Sequence, residues 1–244
     1  MIEDGRRIAS LMGTPQGSVI SPFLSNIYLH YVQDLWAHQW RQRHATGQVT
    51  IVRYADDSVV GFERKDDAVR YLAALRERMA KFGLVLHPEK TRLVEFGLYA
   101  SRNRKGRGEG RPETFDFLGF THCCGKTKKG QFAILRLTVK KRMRATLKAI
   151  RAKLRRKMHD SIPAVGKWLR SVVQGYFNYF AVPGNGHRMY SFRGEICRTW
   201  RRMLIRRSQR HCLTWERFKR LVSRYIPPSR IIHPYPDQRF RVST

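Results

Sequence analysis

Asp56 and Asp57 stand side by side in IVRYADDSVVGF, residues 51–62, between two apolar runs and with no glycine at the bend. Adjacent carboxylates repel each other, and a two-residue hairpin loop needs the positive φ that Asn-Gly or Asp-Gly adopts most easily. Turn chemistry alone gives no reason for the pair. Two readings fit these residues: a solvated acidic turn, or a holder of divalent cations. Mg²⁺ prefers hard carboxylate oxygens, keeps positions open for substrate phosphates and relieves the repulsion between the side chains.

The flanking elements must position the pair. Val49, Ile51, Arg53 and Ala55 alternate with Thr50, Val52 and Tyr54, and Val59-Val60 resumes the pattern, as in an antiparallel hairpin. Upstream, MGTPQGSVISP places Gly13, Pro15 and Gly17 in a tight loop, and Ser21-Pro22 has the form of an N-cap followed by a first-turn proline. Leu24, Ile27, Tyr28, Tyr31 and Leu35 follow at helical spacing, an expected core stripe on a helix reaching Trp40. A glycine-rich loop entering a helix can also bring backbone amides close to phosphate or base.

Downstream, DDAVRYLAALRERMAKFG predicts a helix capped by Asp66 or Asp67. Val69, Leu72, Leu75, Met79 and Phe82 form its inner face, and Gly83 ends it. A short strand, LVLH, leads through Pro88, Glu89 and Lys90 to RLVEF. A basic, glycine-rich loop at 101–113 follows, then a strand in FDFLGF where Gly119 permits close backbone approach. This order predicts an α+β fold, an antiparallel sheet backed by helices.

The chain has 244 residues, 42% of them apolar, enough to bury a core in one or two domains and too apolar for a disordered protein. Its formal charge of +31 is unevenly placed: residues 1–100 hold 13 Lys+Arg against 11 Asp+Glu, and residues 101–244 hold 36 against 7. Such a basic half calls for a polyanion, nucleic acid first and an anionic membrane surface as the rival. TVKKRMRATLKAIRAKLRRKMH puts Val139, Met143, Leu147, Ile150 and Leu154 on one stripe among ten cations and no acid. A second helix includes Trp168, Leu169, Val172, Tyr176 and Tyr179. A third, from Tyr190 to Arg207, turns Ile196, Trp200 and Met203 inward, and a fourth is capped by Thr214 and stops before Pro227-Pro228. Successive helices with apolar inner faces fit a packed, nucleic-acid-binding bundle better than membrane-surface elements. No apolar run reaches membrane-span length, so no membrane partner is expected. Cys123, Cys124, Cys197 and Cys212 form no CxxC pair, which predicts reduced thiols and a cytoplasmic protein; beside His122 and His211 they lack zinc-module spacing.

With these pieces in order, the chain resembles the reverse transcriptases encoded by bacterial group II introns, the intron maturases. GTPQGSVISPFLSNIYL is similar to the block that touches template and incoming nucleotide, and YADD to the palm signature that supplies catalytic aspartates. LHPEKT and FDFLGF resemble the following palm blocks, the second of them a primer grip. WLRSVVQGYFNYF and TWRRMLIRRSQR resemble the helical thumb and maturase domain. The resemblance implies a partial right-hand polymerase palm over 1–137 and an all-helical basic thumb/maturase domain over 138–244.

It also implies site residues and partners. Asp56 ligates metal directly with Asp57 alongside, in a two-Mg²⁺ nucleotidyl transfer. Pro15, Gln16, Gly17, Tyr54 and Lys90 contact template or nucleotide, and Phe117, Leu118 and Gly119 brace the primer end. Lys140, Lys141, Arg144, Lys148, Arg151, Arg155, Arg201 and Arg202 meet RNA. The implied partners are intron RNA, an RNA template and a DNA primer. Ser58 stands where the family often has an aromatic, and Ser18 where it often has glycine. The family also carries fingers and another metal-binding aspartate upstream of GTPQG, whereas twelve residues precede that motif here. The resemblance therefore implies an N-terminally truncated chain, inactive alone, with a separate N-terminal chain as candidate partner. The alternative is a non-catalytic RNA-binding splicing cofactor, or a decayed relic.

Overall fold

A computed structural model describes residues 20–127, 129–207, 213–235 and 238, together with the backbone of 2–3 and 6–7. The chain divides into two compact units, Met1–Leu93 and Val94–Thr244. Each has its own apolar core.

The first unit pairs β1 (Ile2–Glu3) with β2 (Arg6–Arg7) and continues into a helical run. That run comprises α1 (Ser21–Leu29), a π-helical turn (His30–Asp34) and α2 (Leu35–His44). Ile20 rather than Ser21 takes the N-cap position, and Pro22 sits in the first turn as expected. The expected core stripe is corrected: Leu24, Ile27, Tyr28, Tyr31 and Leu35 are 41%, 42%, 43%, 63% and 44% exposed. The π turn inserts residues into the 3.6-residue period, so the buried face passes instead through Val32, Gln33, Ala37 and Trp40.

Strands β3 (Val49–Tyr54) and β4 (Asp57–Phe62) form an antiparallel ribbon with Val49 opposite Phe62, Ile51 opposite Val60 and Tyr54 opposite Asp57. Against it lies α3 (Lys65–Lys81), which buries Asp67, Tyr71, Leu75 and Met79 at four-residue spacing. The expected inner face through Val69 and Phe82 is thus rotated, and both are exposed. Tyr71 is the hub, its ring 5.0 Å from Trp40 and 5.2 Å from Phe62. Gly83 ends the helix at φ +67°, as its position predicts.

Asp66 and Asp67 do not cap α3; Arg64 takes the N-cap position without a side-chain cap. Asp67 is buried and accepts from Thr46 N at 2.9 Å, Gly47 N at 3.0 Å and Thr46 Oγ1 at 3.1 Å, and it pairs with Arg70. Burial pushes its carboxyl up, but the donors from Thr46, Arg70 and Gly47 outweigh this and bring it down to about 2. The expected strand at LVLH is not a strand: among the described residues, 84–87 and 92–96 join no ladder.

In the second unit the expected loop at 101–113 folds in part as α4 (Ala100–Gly106). Ion pairs fasten it: Arg107 to Glu95 and Glu109, and Arg104 to Glu109 at 3.3 Å and Glu113 at 3.8 Å. Strands β5 (Phe115–Phe117), β6 (Phe120–Lys126) and β7 (Phe132–Thr138) form an antiparallel sheet in that order. FDFLGF is therefore a hairpin rather than a single strand. Leu118 and Gly119 turn it with φ of 48° and 79°, the two positive values that a tight hairpin loop needs.

The helices are α5 (Lys140–Arg156), α6 (Ile162–Phe180), α7 (Gly186–Arg206) and α8 (Trp215–Tyr225). Ile150, Leu154, Leu169, Ile196, Trp200 and Met203 meet in one core, and Thr214 Oγ1 caps α8 by accepting from Arg217 N at 3.4 Å. Phe120 packs on the same core, 5.3 Å from the Phe180 ring. Sheet and helices thus share the second compact unit, Val94–Thr244. Asn185, fully buried, accepts from Thr138 N at 3.0 Å and donates to Thr138 Oγ1 and Phe180 O, stitching β7 to the turn between α6 and α7. Among the described residues Cys123, Cys124 and Cys197 are free thiols, and no helix is long and apolar enough to cross a membrane.

Asp67→Asn is expected to lower the melting temperature at neutral pH, while the same change at exposed Asp66 does little. Because the folded carboxyl titrates below its unfolded value of about 3.9, the wild-type advantage is complete above about pH 4. It fades as pH falls toward 2. Melting curves of the three proteins between pH 7 and 2 provide the check.

Candidate functional site

The β3–β4 loop consists of Ala55 and Asp56, with Tyr54 and Asp57 the last paired residues on either side. Ala55 has φ of 54°, a conformation that costs a residue with a Cβ roughly 1 kcal/mol or more. Asp56 is thus a loop residue and Asp57 the first residue of β4. Cross-strand partners share a face, so Asp57 lies on the same side as Tyr54, Val52 and Val59. Tyr54 is 65% exposed and Val52 48%, and both aspartates are exposed. Among the described residues neither carboxylate has a hydrogen-bond or ion-pair partner, although the chain carries 49 Lys and Arg.

Arg53 holds this turn. Its Nε donates to Asp34 Oδ1 at 2.7 Å and its Nη2 to Asp34 Oδ2 at 2.5 Å, while Nη1 donates to Asn26 Oδ1 at 3.0 Å and to Ala55 O at 2.8 Å. Asn26 Nδ2 donates to Pro22 O at 3.0 Å, which leaves its oxygen facing the guanidinium. The hydrogen bonds from Arg53 hold the Asp34 carboxyl below the usual range against the opposing effect of burial. Gln33, 5% exposed, donates from Nε2 to Ser58 Oγ at 3.3 Å and ties the π turn to β4. None of Asn26, Gln33 or Asp34 stood out in the sequence. The available signal was Arg53 itself, a cation on the inward-facing phase of an alternating strand, which calls for an opposing acid.

Pro15, Gln16 and Gly17 lie outside the described residues. Tyr54 adjoins Asp57 across the ribbon, and Lys90 lies exposed in a turn beyond α3, with no hydrogen bond or ion pair among the described residues linking it to the aspartates. Phe117, Leu118 and Gly119 form the β5–β6 turn in the second unit. There Tyr179 Oη donates to Leu118 O at 2.8 Å, and the Tyr179 ring stacks on Phe120 at 5.7 Å. Lys140, Lys141, Arg144, Lys148, Arg151 and Arg155 are exposed on α5. At about 100° per residue they occupy roughly 100° of arc, next to the buried stripe. The first turn of α5 has no acid to offset its cations, which oppose the helix dipole. Arg202 is exposed, but Arg201 lies 4.2 Å from the Trp215 ring and donates to Leu213 O at 3.3 Å.

Two adjacent carboxylates are the oxygen donors that a hard divalent cation takes, and Mg²⁺ fills its remaining positions with water or phosphate. Among the described residues no group of three His, Cys, Asp or Glu side chains forms. The pair therefore fits as part of a metal site.

Residues 2–122 match the family model of the reverse transcriptase (RNA-dependent DNA polymerase). This span contains the aspartate ribbon, its supporting helices and the β5–β6 turn. No curated protein matches the chain. Over residues 2–122, just under half of its length, the chain is thus similar to a reverse transcriptase domain.

Ala55→Gly is expected to stabilise the first unit by about 1 kcal/mol, since glycine takes positive φ without a Cβ penalty. Chemical denaturation with an unchanged m-value is the check; destabilisation would mean that the turn is not strained at Ala55.

Proposed function

We propose that the chain is a reverse transcriptase/maturase of the group II intron type, combining RNA-directed DNA polymerisation with intron RNA binding that assists splicing and mobility. The observation that carries the polymerase half is the bare aspartate pair. In a chain of net charge +31, two exposed carboxylates at a hairpin tip have no hydrogen-bond or ion-pair partner among the described residues. Asp56 and Asp57 would hold two Mg²⁺ ions, which when bound would supply the positive charge that activates a primer 3′-oxygen and offsets a leaving pyrophosphate. Tyr54 would border them, and Pro15, Gln16, Gly17 and Lys90 would serve template and nucleotide. The Phe117–Gly119 turn, anchored by Tyr179, braces the primer end. A separate N-terminal chain is the candidate source of further ligands.

The second half of the proposal rests on α5. Six exposed cations on one stripe, two of them (Lys140 and Lys141) in the first turn where positive charge is unfavourable, suit RNA phosphates. The same stripe favours a second reading, an RNA-binding splicing cofactor without polymerase activity, because the second unit has a core independent of the aspartate ribbon.

Primer extension on an RNA template separates the two. With a homologous N-terminal reverse transcriptase segment supplied, extension is expected and is lost in Asp56→Ala; the chain alone gives little or none. Extension that survives Asp56→Ala would remove the aspartates from the site, and none under any condition favours the cofactor.

RNA binding has its own signature. If about six phosphates are neutralised with a slope near −0.7 each, affinity falls a few hundredfold between 50 and 200 mM salt. Reversing Lys140, Lys141, Arg144, Lys148 and Arg151 together is expected to flatten that slope while helicity is retained. A salt-independent affinity would point to an apolar or protein partner.

A further inference from the structure

Two exposed carboxylates can receive a cation only if the backbone presenting them keeps one geometry. The ribbon has two strands and its loop contains an unfavourable positive φ at Ala55, so the ribbon alone is a poor guarantor of that geometry. The carbonyl of Ala55 belongs to the peptide that leads directly into Asp56. Arg53 Nη1 donates to that carbonyl at 2.8 Å and, through its other bonds, ties it to Asn26 on α1 and Asp34 on the π turn. The Arg53 side chain is 12% exposed, and its two bonds to Asp34 are partly buried while those to Asn26 and Ala55 lie toward the surface.

Resting on the cation-holding reading of Asp56 and Asp57, we infer that Arg53 is a positioning residue for the pair, with Asp34 its anchor and Asn26 its second support. Arg53 touches neither carboxylate by any hydrogen bond; it acts through the Ala55–Asp56 peptide. The fork is essential to this role. A lysine keeps the charge but has one nitrogen, which cannot engage both Asp34 oxygens, Asn26 and Ala55 in the same geometry. Asp34 has an electrostatic role as well. Pairing with Arg53 cancels the guanidinium charge three residues from Asp56, so the aspartate charge remains available to an external cation. Gln33, bonded to Ser58 Oγ at 3.3 Å, holds the opposite strand to the same turn.

The test uses the full chain, with Mn²⁺ as paramagnetic probe and the backbone amide signals of Ala55, Asp56 and Asp57 as reporters. In the wild type these signals broaden selectively on Mn²⁺ addition. In Arg53→Lys the concentration needed rises roughly tenfold or more, the range typical when a supporting residue behind a metal ligand is lost. Asn26→Ala, which leaves the ion pair in place, gives a smaller rise. Leu75→Ala loosens the core of the same unit without touching Arg53 and leaves the Mn²⁺ response unchanged.

The metal-free spectra keep the positioning claim separate from the cation reading. Arg53→Lys is expected to shift the Ala55 and Asp56 amides in the absence of Mn²⁺, whereas Leu75→Ala does not. Unchanged metal-free shifts in Arg53→Lys overturn the positioning role, and so does a Leu75→Ala protein whose Mn²⁺ response falls as far as that of Arg53→Lys. Failure of Mn²⁺ to broaden the wild-type signals overturns the cation reading itself.

Discussion

One guanidinium joins the helical run to the aspartate ribbon. Arg53 makes four hydrogen bonds to three segments, α1 through Asn26, the π turn through Asp34 and the loop through Ala55. Burying a cation costs free energy unless its donors are satisfied and a carboxylate opposes it. Both conditions are met at Arg53, and meeting them fixes where the ribbon can lie. The π turn belongs to the same constraint. It brings Gln33 to Ser58 and Asp34 to Arg53 while keeping Val32 in the core.

A parallel constraint acts at the other end of the ribbon. Asp67 gathers the amides of Thr46 and Gly47 just before β3, and the Tyr71 ring packs against Trp40 and Phe62. The ribbon is thus clamped by a buried carboxylate at its base and a partly buried guanidinium near its tip. Asp34 and Asp67 are satisfied within the fold, whereas Asp56 and Asp57 remain open, as do the exposed Asp66, Glu77 and Glu89. The free carboxylates are those for which the fold has no structural use.

The second unit distributes its charges in the opposite way. Most of its acids are engaged locally: Glu95, Glu109 and Glu113 with Arg104 and Arg107, Asp160 with Lys157, and Glu195 with Arg198. Such exposed pairs contribute little stability singly. Their greater effect is to neutralise most of the unit's acids locally, so the exposed field is set by unpaired cations such as the α5 stripe. Arg201 is an exception among those cations, since stacking on Trp215 makes it part of the scaffold.

Much was legible in the sequence where one local rule acts alone. Strand alternation predicted the ribbon around Asp56 and Asp57, apolar spacing predicted the four basic helices, and capping chemistry marked the start of α8 at Thr214 and the end of α3 at Gly83. The charge asymmetry and the adjacent carboxylates are properties of composition and order, so no folding was needed to see them. Elsewhere a partner distant in sequence overrode the local preference. Leu24, Ile27 and Tyr31 kept helical spacing but not burial, because a π turn changes which side of the helix meets α3 and the ribbon. Asp67 gave up a capping role for amides twenty residues away, and FDFLGF folded back on itself at Leu118-Gly119. The amino-acid order alone determined which residues could do chemistry and which segments would be helix or ribbon, since those follow from side-chain type and period. Only the tertiary structure decided which acids are consumed by the fold and which remain open, because that depends on the pairing of Arg53 with Asp34 across nineteen residues of chain.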